Sequence, residues 1–352
     1  MHECFKNNKE RIAFIVLLLF VLFSPFLTYF IDRPIAYRSV SLRCGPYAYI
    51  ADEIFNKTEA IDMLFLSSSE IWTGVNIKHL RKLWKSKHHK DFNIVMLGSN
   101  WRGMDRFYFI LKDVLKRRRV KTLVLSIYGR TTFPYYGSKH LFSIFEHRKD
   151  FNGMSLKNYL LFYAQSIWGM PRLIYEWLVP NKIPVDCING HATNYGFLEQ
   201  NLGYDPLSPK AELFKKRDDK PPIFGSHEVT YWGGGSKIFP KPPPLEDNNF
   251  ELHFYEKIVS ICKKYNIKIA LIQIPLPTDQ GDTITFAQES RHKEIPIIGM
   301  PLHMLFPNMS LDAIKGFYYN NNHLNSNGAR YFTESISDVL YDFYEGKNGF
   351  YR

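Results

Sequence analysis

Three polar segments of this sequence have the residue types and the order that nucleophilic catalysis at a serine requires. They are the serine triplet 67–69, the segment 98–100 and the asparagine-rich segment 320–328. A serine nucleophile needs a base within hydrogen-bond reach, and the base needs a group that orients it. It also needs donors at the oxygen on which negative charge develops. The three segments together contain a candidate for each of these parts.

The chemistry of the side chains assigns a role to each candidate. Ser69 is the candidate nucleophile and His323 the candidate base, and Asn320 can hold the other ring nitrogen of that histidine. Gly98, through its N–H, and Asn100, through its side chain, are the candidate oxyanion donors. A serine triplet after a strand is more often a turn or a helix cap, so the order and spacing of all three segments carry the hypothesis.

Short apolar runs precede the first two segments and predict buried strands. They cover residues 61–66 and 92–97. Further strands are predicted at 122–127 and 268–274, and helices at 104–118, 250–265 and 326–344. Strands that alternate with helices indicate an α/β fold, with a parallel sheet and helices on both faces. Because sites in such sheets form at the carboxyl ends of the strands, the candidates fall where a site is expected.

The N-terminus predicts one transmembrane helix ahead of this domain. Residues 12–31 form a nearly unbroken apolar run, long enough to cross the hydrocarbon core. No A-x-A-like cleavage site follows it, which favours an uncleaved signal anchor. Basic residues before the run favour a cytoplasmic tail at 1–11, and residues 32–352 are then expected in the periplasm or otherwise outside the cytoplasm, at the inner membrane.

The charge of the chain suits an anionic partner. The sequence has 45 Lys and Arg against 34 Asp and Glu, a net charge of +11. A cell-envelope glycan or lipid head groups fit the expected location, whereas a nucleic acid would lie on the other side of the membrane. Four cysteines without a C-x-x-C motif predict neither a disulfide framework nor a zinc site, and no motif predicts a metal or a cofactor.

The stretch 131–248 interrupts the alternation of strands and helices. It is aromatic at first and then rich in Pro, Gly and Asn, which predicts an insertion over one end of the sheet, part helix and part loop. The segment 155–179 within it is expected to be a packed helix. Tyr231 and Trp232 could stack on a sugar ring, although packing of the loop is the commoner role of such residues.

The sequence resembles the SGNH/GDSL hydrolase superfamily, in particular its membrane-anchored extracytoplasmic branch. That branch includes the D-alanylation protein of teichoic acid synthesis and the alginate O-acetylation proteins. The resemblance spans about 61–130 and 250–340. The segments that carry it are LFLSSSEIWTG at 64–74, VMLGSN at 95–100 and NNNHLNSNGARYFTE at 320–334, and the strands at 123–130 and 269–277 fit between them.

The resemblance implies a flavodoxin-like sheet, with Ser69 as nucleophile, His323 as base and Gly98 as the oxyanion glycine. Three positions depart from the family. Ser67 stands where a glycine is usual and Asn320 where an aspartate is usual, and Tyr-Gly-Arg at 128–130 replaces Gly-x-Asn-Asp. A neutral asparagine can accept a hydrogen bond from imidazole, but it cannot stabilise the imidazolium by charge.

The function that the resemblance implies is acyl transfer through an acyl-serine intermediate. The expected task is O-acetylation of a cell-envelope polysaccharide, beside a multi-spanning membrane acyltransferase that exports the acyl group. An esterase that removes such groups remains an alternative, because only the acceptor differs. A non-catalytic binding or assembly subunit is the other alternative, and the three departures favour it.

Overall fold

The computed structural model describes most of the region expected to carry the site. The residues described are 8–40, 46–99, 103–126, 141, 155–179, 249–275, 295–299, 302–310, 313–314, 316–320 and 323–347. Three predicted site residues, Asn100, Tyr231 and Trp232, lie outside these ranges.

A parallel sheet lies at the centre of the domain. In the ranges described, its strands are β1 (Ile61–Ser68), β2 (Ile94–Ser99), β3 (Val120–Ser126), β4 (Lys268–Ile272) and β5 (Ile297–Ile298). Their order is β2-β1-β3-β4-β5, and every neighbouring pair is parallel. This is the flavodoxin-like order of doubly wound sheets. The predicted α/β class and the four predicted strands are confirmed, and β5 is added to them.

Helices cover both faces of the sheet. The helices within the described ranges are α1 (Asn8–Phe23), α2 (Arg33–Val40), α3 (Pro46–Phe55), α4 (Ser69–Gly74), α5 (Ile77–His88), α6 (Met104–Leu115), α7 (Leu156–Leu178), α8 (Asn249–Tyr265), α9 (Leu302–Leu305) and α10 (Ser326–Glu345). Helix α5 packs with α10, and α6 packs with α8. Because β2 and β3 flank β1 on opposite sides and crossovers are right-handed, α5 and α6 lie on opposite faces.

The central strand shows why the apolar runs identify the sheet. Residues Met63, Leu64, Phe65 and Leu66 of β1 have no exposed surface, whichever face they point to. A parallel strand covered on both faces therefore appears in the sequence as a continuous apolar run, without the alternation of a half-exposed strand.

The N-terminal apolar run differs from the prediction, which is wrong in expecting one helix over 12–31. Helix α1 ends at Phe23, and a 3-10 helix, Ser24–Tyr29, follows it. Proline lacks an N–H and disfavours a continuing α-helix, so Pro25 accounts for the change. Of the helices within the described ranges, none is both long and apolar enough to cross a membrane.

A buried ion pair fastens α2 to α6. Arg33 Nη2 lies 2.6 Å from Asp113 Oδ2, and the hydroxyl of Tyr37 donates to the same oxygen at 2.9 Å. Burial raises the pKa of Asp113, but Arg33, Lys116 and the donated hydrogen bonds together lower the pKa by more, so it lies below its ordinary value. The ionised carboxylate is therefore the form that the fold stabilises.

Helix α7 lies within the predicted insertion, where a packed helix is expected, and this prediction is confirmed. Its Phe162 ring lies 6.1 Å from that of Phe109 in α6 and 5.9 Å from that of Phe254 in α8. Helix α7 therefore packs on the outer side of the pair formed by α6 and α8.

Candidate active site

Ser69 and His323 meet although 254 residues separate them. The hydroxyl oxygen of Ser69 lies 2.9 Å from Nε2 of His323, a hydrogen-bond distance. Both side chains are half-buried, so the pair is held by the protein and still reaches solvent. For the serine to give its proton to Nε2, the neutral imidazole must carry its own proton on Nδ1.

The turn from β1 into α4 places Ser69. Strand β1 ends at Ser68, and Ser69 is the first residue of the helix. The N–H of Ser68 donates to the hydroxyl of Ser126 at the end of β3, at 3.1 Å. The buried Arg106 donates from Nη2 to the carbonyl oxygen of Ser67 at 2.9 Å. These two hydrogen bonds fix the backbone directly before Ser69.

A short antiparallel hairpin places His323. It consists of β6 (Tyr318–Asn320) and β7 (His323–Leu324). The hydroxyl of Tyr318 donates to the carbonyl of Pro275, just beyond β4, at 2.5 Å. The hairpin is thereby tied to the carboxyl end of the main sheet, where Ser69 lies.

The residue that follows the hairpin fixes the start of α10. Asn325 caps this helix, because its side-chain oxygen accepts from the N–H of Gly328 at 2.9 Å. Its side-chain nitrogen donates to the carbonyl of Gly316 at 2.7 Å. A Cβ at Gly328 would lie 2.1 Å from the carbonyl oxygen of Phe317, so only glycine fits there. The base thus stands between two tightly constrained segments.

Gly98 lies beside the turn from β1 into α4 that carries Ser69. It pairs with Ser67 in the register of β1 and β2. A Cβ at Gly98 would lie 2.6 Å from Ser67 Oγ and 2.9 Å from Trp72 Cδ1, so a larger residue would displace the turn. Within the described part of the chain, the buried hydroxyl of Ser67 makes no hydrogen bond.

The backbone of Asn320 lies next to the candidate base. Asn320 is the residue of β6 that pairs with His323 of β7. The structure therefore brings together Ser69 and His323 by side-chain contact, Gly98 beside the turn, and Asn320 by backbone pairing. The roles of Asn320 and Gly98 in the chemistry stay predictions, as do those of the three residues outside the described ranges.

Two residues that support the site were missed by sequence reasoning. Arg106 lies in α6, a helix of which almost every residue is buried, and a single arginine in a sequence does not reveal whether its side chain is buried or exposed. Asn325 could have been found, since an asparagine directly before a helix is a preferred cap. Neither residue touches the Ser69–His323 pair in the contacts described, and both hold the backbone that carries it.

The arrangement can generate a nucleophile without a metal. A serine in contact with an unprotonated imidazole can lose its proton as it attacks a carbonyl carbon. In the described ranges, no group of three His, Cys, Asp or Glu side chains could hold a metal ion.

The sequence matches no family model, and no curated protein matches it significantly.

Proposed function

We propose that this protein transfers acyl groups through an ester of Ser69. The observation that carries the proposal is the 2.9 Å contact between Ser69 Oγ and His323 Nε2. As the hydroxyl oxygen attacks the carbonyl carbon of an acyl donor, its proton passes to Nε2. The imidazolium then protonates the leaving group, and acyl-Ser69 remains. In the second step, His323 removes a proton from the acceptor hydroxyl, whose oxygen takes the acyl group, and the imidazolium returns that proton to Oγ of Ser69.

The acceptor that we infer is a hydroxyl of a cell-envelope polysaccharide, with acetyl as the acyl group. The resemblance to envelope O-acetylation proteins supports this choice. The net charge of +11 supports an anionic glycan in particular. A multi-spanning membrane acyltransferase would supply the acyl donor on the outer side of the membrane. With water as the acceptor, the same first step would make the protein an esterase.

Asn320 favours a second candidate, a non-catalytic SGNH-fold subunit that binds or assembles an acylation complex. Its neutral side chain stands where the family has a carboxylate, and it cannot stabilise an imidazolium by charge. In that case Ser69 and His323 would keep their contact but would not catalyse acyl transfer.

Covalent labelling of Ser69 tests the proposal directly. The full-length protein is incubated with p-nitrophenyl acetate, quenched in acid and analysed by peptide mass spectrometry. We expect one acetyl group on the peptide that contains Ser69, and none on that peptide in Ser69→Ala. An unmodified peptide in the wild type, together with no release of p-nitrophenol above buffer, would contradict the proposal and favour the binding subunit.

Asn320→Asp should raise the rate of p-nitrophenyl acetate hydrolysis. A carboxylate next to the imidazole stabilises the cation that forms during attack, and removal of that charge from a serine triad costs on the order of 10⁴-fold. Because the surrounding residues have adapted to asparagine, we expect a smaller gain, on the order of tenfold.

The matched control for this variant is Asn322→Asp. It adds the same charge one residue before His323. Steady-state rates of both variants are measured between about pH 5 and pH 9, the range in which imidazole titrates. The comparison separates the effect of a carboxylate at position 320 from the effect of any added negative charge near His323. Equal gains in both would assign the effect to charge in general, and no gain in Asn320→Asp would show that another residue orients the base.

A further inference from the structure

We propose that the exposed apolar face of α7 binds a lipid bilayer and lies flat on the membrane surface. This lipid-binding face consists of Leu156, Leu160, Trp168, Tyr175 and Leu178. The proposal concerns where the domain sits, and it holds whether or not Ser69 is a nucleophile.

The lipid-binding face is exposed along the whole helix. Its five side chains are between 51% and 80% exposed, and Trp168 is the most exposed of them. At 3.6 residues per turn, their positions fall within a sector of about 120° on the helix surface. A surface helix of a soluble domain normally turns polar residues outward, so this outward face is apolar where charge is expected.

The opposite face of α7 is already used. Phe162, Met170 and Leu173 are buried against the domain, and Phe162 packs between Phe109 and Phe254. The helix therefore cannot rotate to bury its outer side chains without losing this packing. The lipid-binding face needs a partner from outside the described domain.

Helix α7, which carries the lipid-binding face, contacts α1. The hydroxyl of Tyr163 in α7 donates to the carbonyl of Leu22 near the end of α1, and α7 also packs against the 3-10 helix, Ser24–Tyr29. The large apolar side chains of α1, from Ile12 to Phe23, are exposed on every side of that helix. A helix that is apolar all round is typical of a lipid environment. The lipid-binding face and the apolar side chains of α1 therefore belong to two helices that contact each other.

The composition of the lipid-binding face selects lipid over a protein partner. Tryptophan and tyrosine are enriched where a membrane meets water, and leucine is suited to the acyl chains below. The exposed side of α7 has one charged residue, Lys157, and the one carboxylate of the helix, Glu176, is buried. A cation beside an apolar face, in a chain of net charge +11, complements anionic head groups.

The emission of Trp168 reports directly on what covers this face. Full-length protein is reconstituted in vesicles of phosphatidylethanolamine and phosphatidylglycerol, with and without brominated acyl chains. The Trp168 contribution is the difference between wild type and Trp168→Phe. We expect brominated lipid to remove most of this emission and aqueous iodide to leave it unchanged.

A new exposed tryptophan elsewhere provides the control. Lys82→Trp places an indole on the outer side of α5, which lies on the face of the sheet opposite to α6 and α8. Its emission should fall with iodide and stay constant with brominated lipid.

Two results would overturn the proposal. Quenching of Trp168 by iodide, with no effect of brominated lipid, would show that the face is in water. Resistance of Trp168 to both quenchers would show that protein covers it, either a second copy or another subunit. Neither result bears on acylation of Ser69, so failure of this proposal and failure of the proposed function are distinguishable.

Discussion

Ser69→Ala should reduce hydrolysis of p-nitrophenyl acetate to the rate of the buffer, a loss on the order of 10³-fold or more. The substitution removes the hydroxyl oxygen that forms the ester. A water molecule in its place would have to attack the acetyl carbonyl directly, without a covalent intermediate. His323→Ala should reduce the rate nearly as much, because it removes Nε2, the proton acceptor that lies 2.9 Å from the hydroxyl oxygen of Ser69. Release of p-nitrophenol at saturating substrate is the measurement.

The double variant makes this prediction sharper. Nucleophile and base act as one unit, so Ser69→Ala with His323→Ala should be no slower than either single variant. Ser86→Ala, on the exposed side of α5, is the matched serine control and should keep the full rate. If the losses of the single variants multiply in the double variant, the two residues act independently and the assignment of His323 as base to Ser69 is wrong.

Asp113→Asn should lower the free energy of unfolding by about 3 kcal/mol. The amide keeps the size of the side chain but leaves Arg33 and Tyr37 facing a neutral group in a buried position. Removing one partner of a buried ion pair lowers the free energy of unfolding strongly, because the other charge is left unpaired in the interior. The loss is far larger than the stability that the intact pair adds relative to apolar residues in its place. Urea unfolding, followed by tryptophan fluorescence, measures the difference from wild type.

The pH dependence of this difference has a definite sign. The pKa of Asp113 lies below its ordinary value in the folded protein, so the ionised carboxylate contributes stability above the unfolded pKa of about 4. That contribution is lost as the pH falls through the lower, folded pKa. The gap between wild type and Asp113→Asn should therefore be full at pH 7 and shrink in acid below about pH 4.

A surface pair supplies the control for Asp113. Asp91 pairs with Lys85 at 2.8 Å, but both side chains are largely exposed. Asp91→Asn should cost at most about 0.5 kcal/mol. If Asp113→Asn costs no more than Asp91→Asn, or if its cost is the same at every pH, the buried pair does not fasten α2 to α6 as inferred.

The central sheet was predictable because burial on both faces leaves continuous apolar runs such as that of β1. Strand β5 escaped because Ile297 and Ile298 alone form too short a run to stand out. The predicted helix over 12–31 failed for a different reason. Hydropathy reports how apolar a segment is and not its backbone conformation. It therefore gives no sign that the α-helix ends at Phe23 and is followed by a 3-10 helix at Ser24–Tyr29.

The candidate site was predictable at the level of residue types, since Ser69 and His323 follow the order that the chemistry needs. Its supporting residues were less so. Arg106 donates to the backbone of Ser67 because tertiary packing buries it, and no local pattern encodes that burial. The predicted role of Asn320 in orienting His323 depends on its side chain, whereas the structure places its backbone beside His323.

The separation of Ser69 from His323 has a consequence for biosynthesis. A ribosome that adds about 5 to 20 residues per second needs roughly 10 to 50 s to reach His323, 254 positions after Ser69. Throughout that interval the emerging chain carries Ser69 without His323. The contact joins positions that are 254 apart in the sequence, so closing it costs more chain entropy than a local contact does. The contact between Ser69 and His323 therefore forms only after residue 323 has been synthesised, and under the proposed function a shorter chain would lack the base for Ser69.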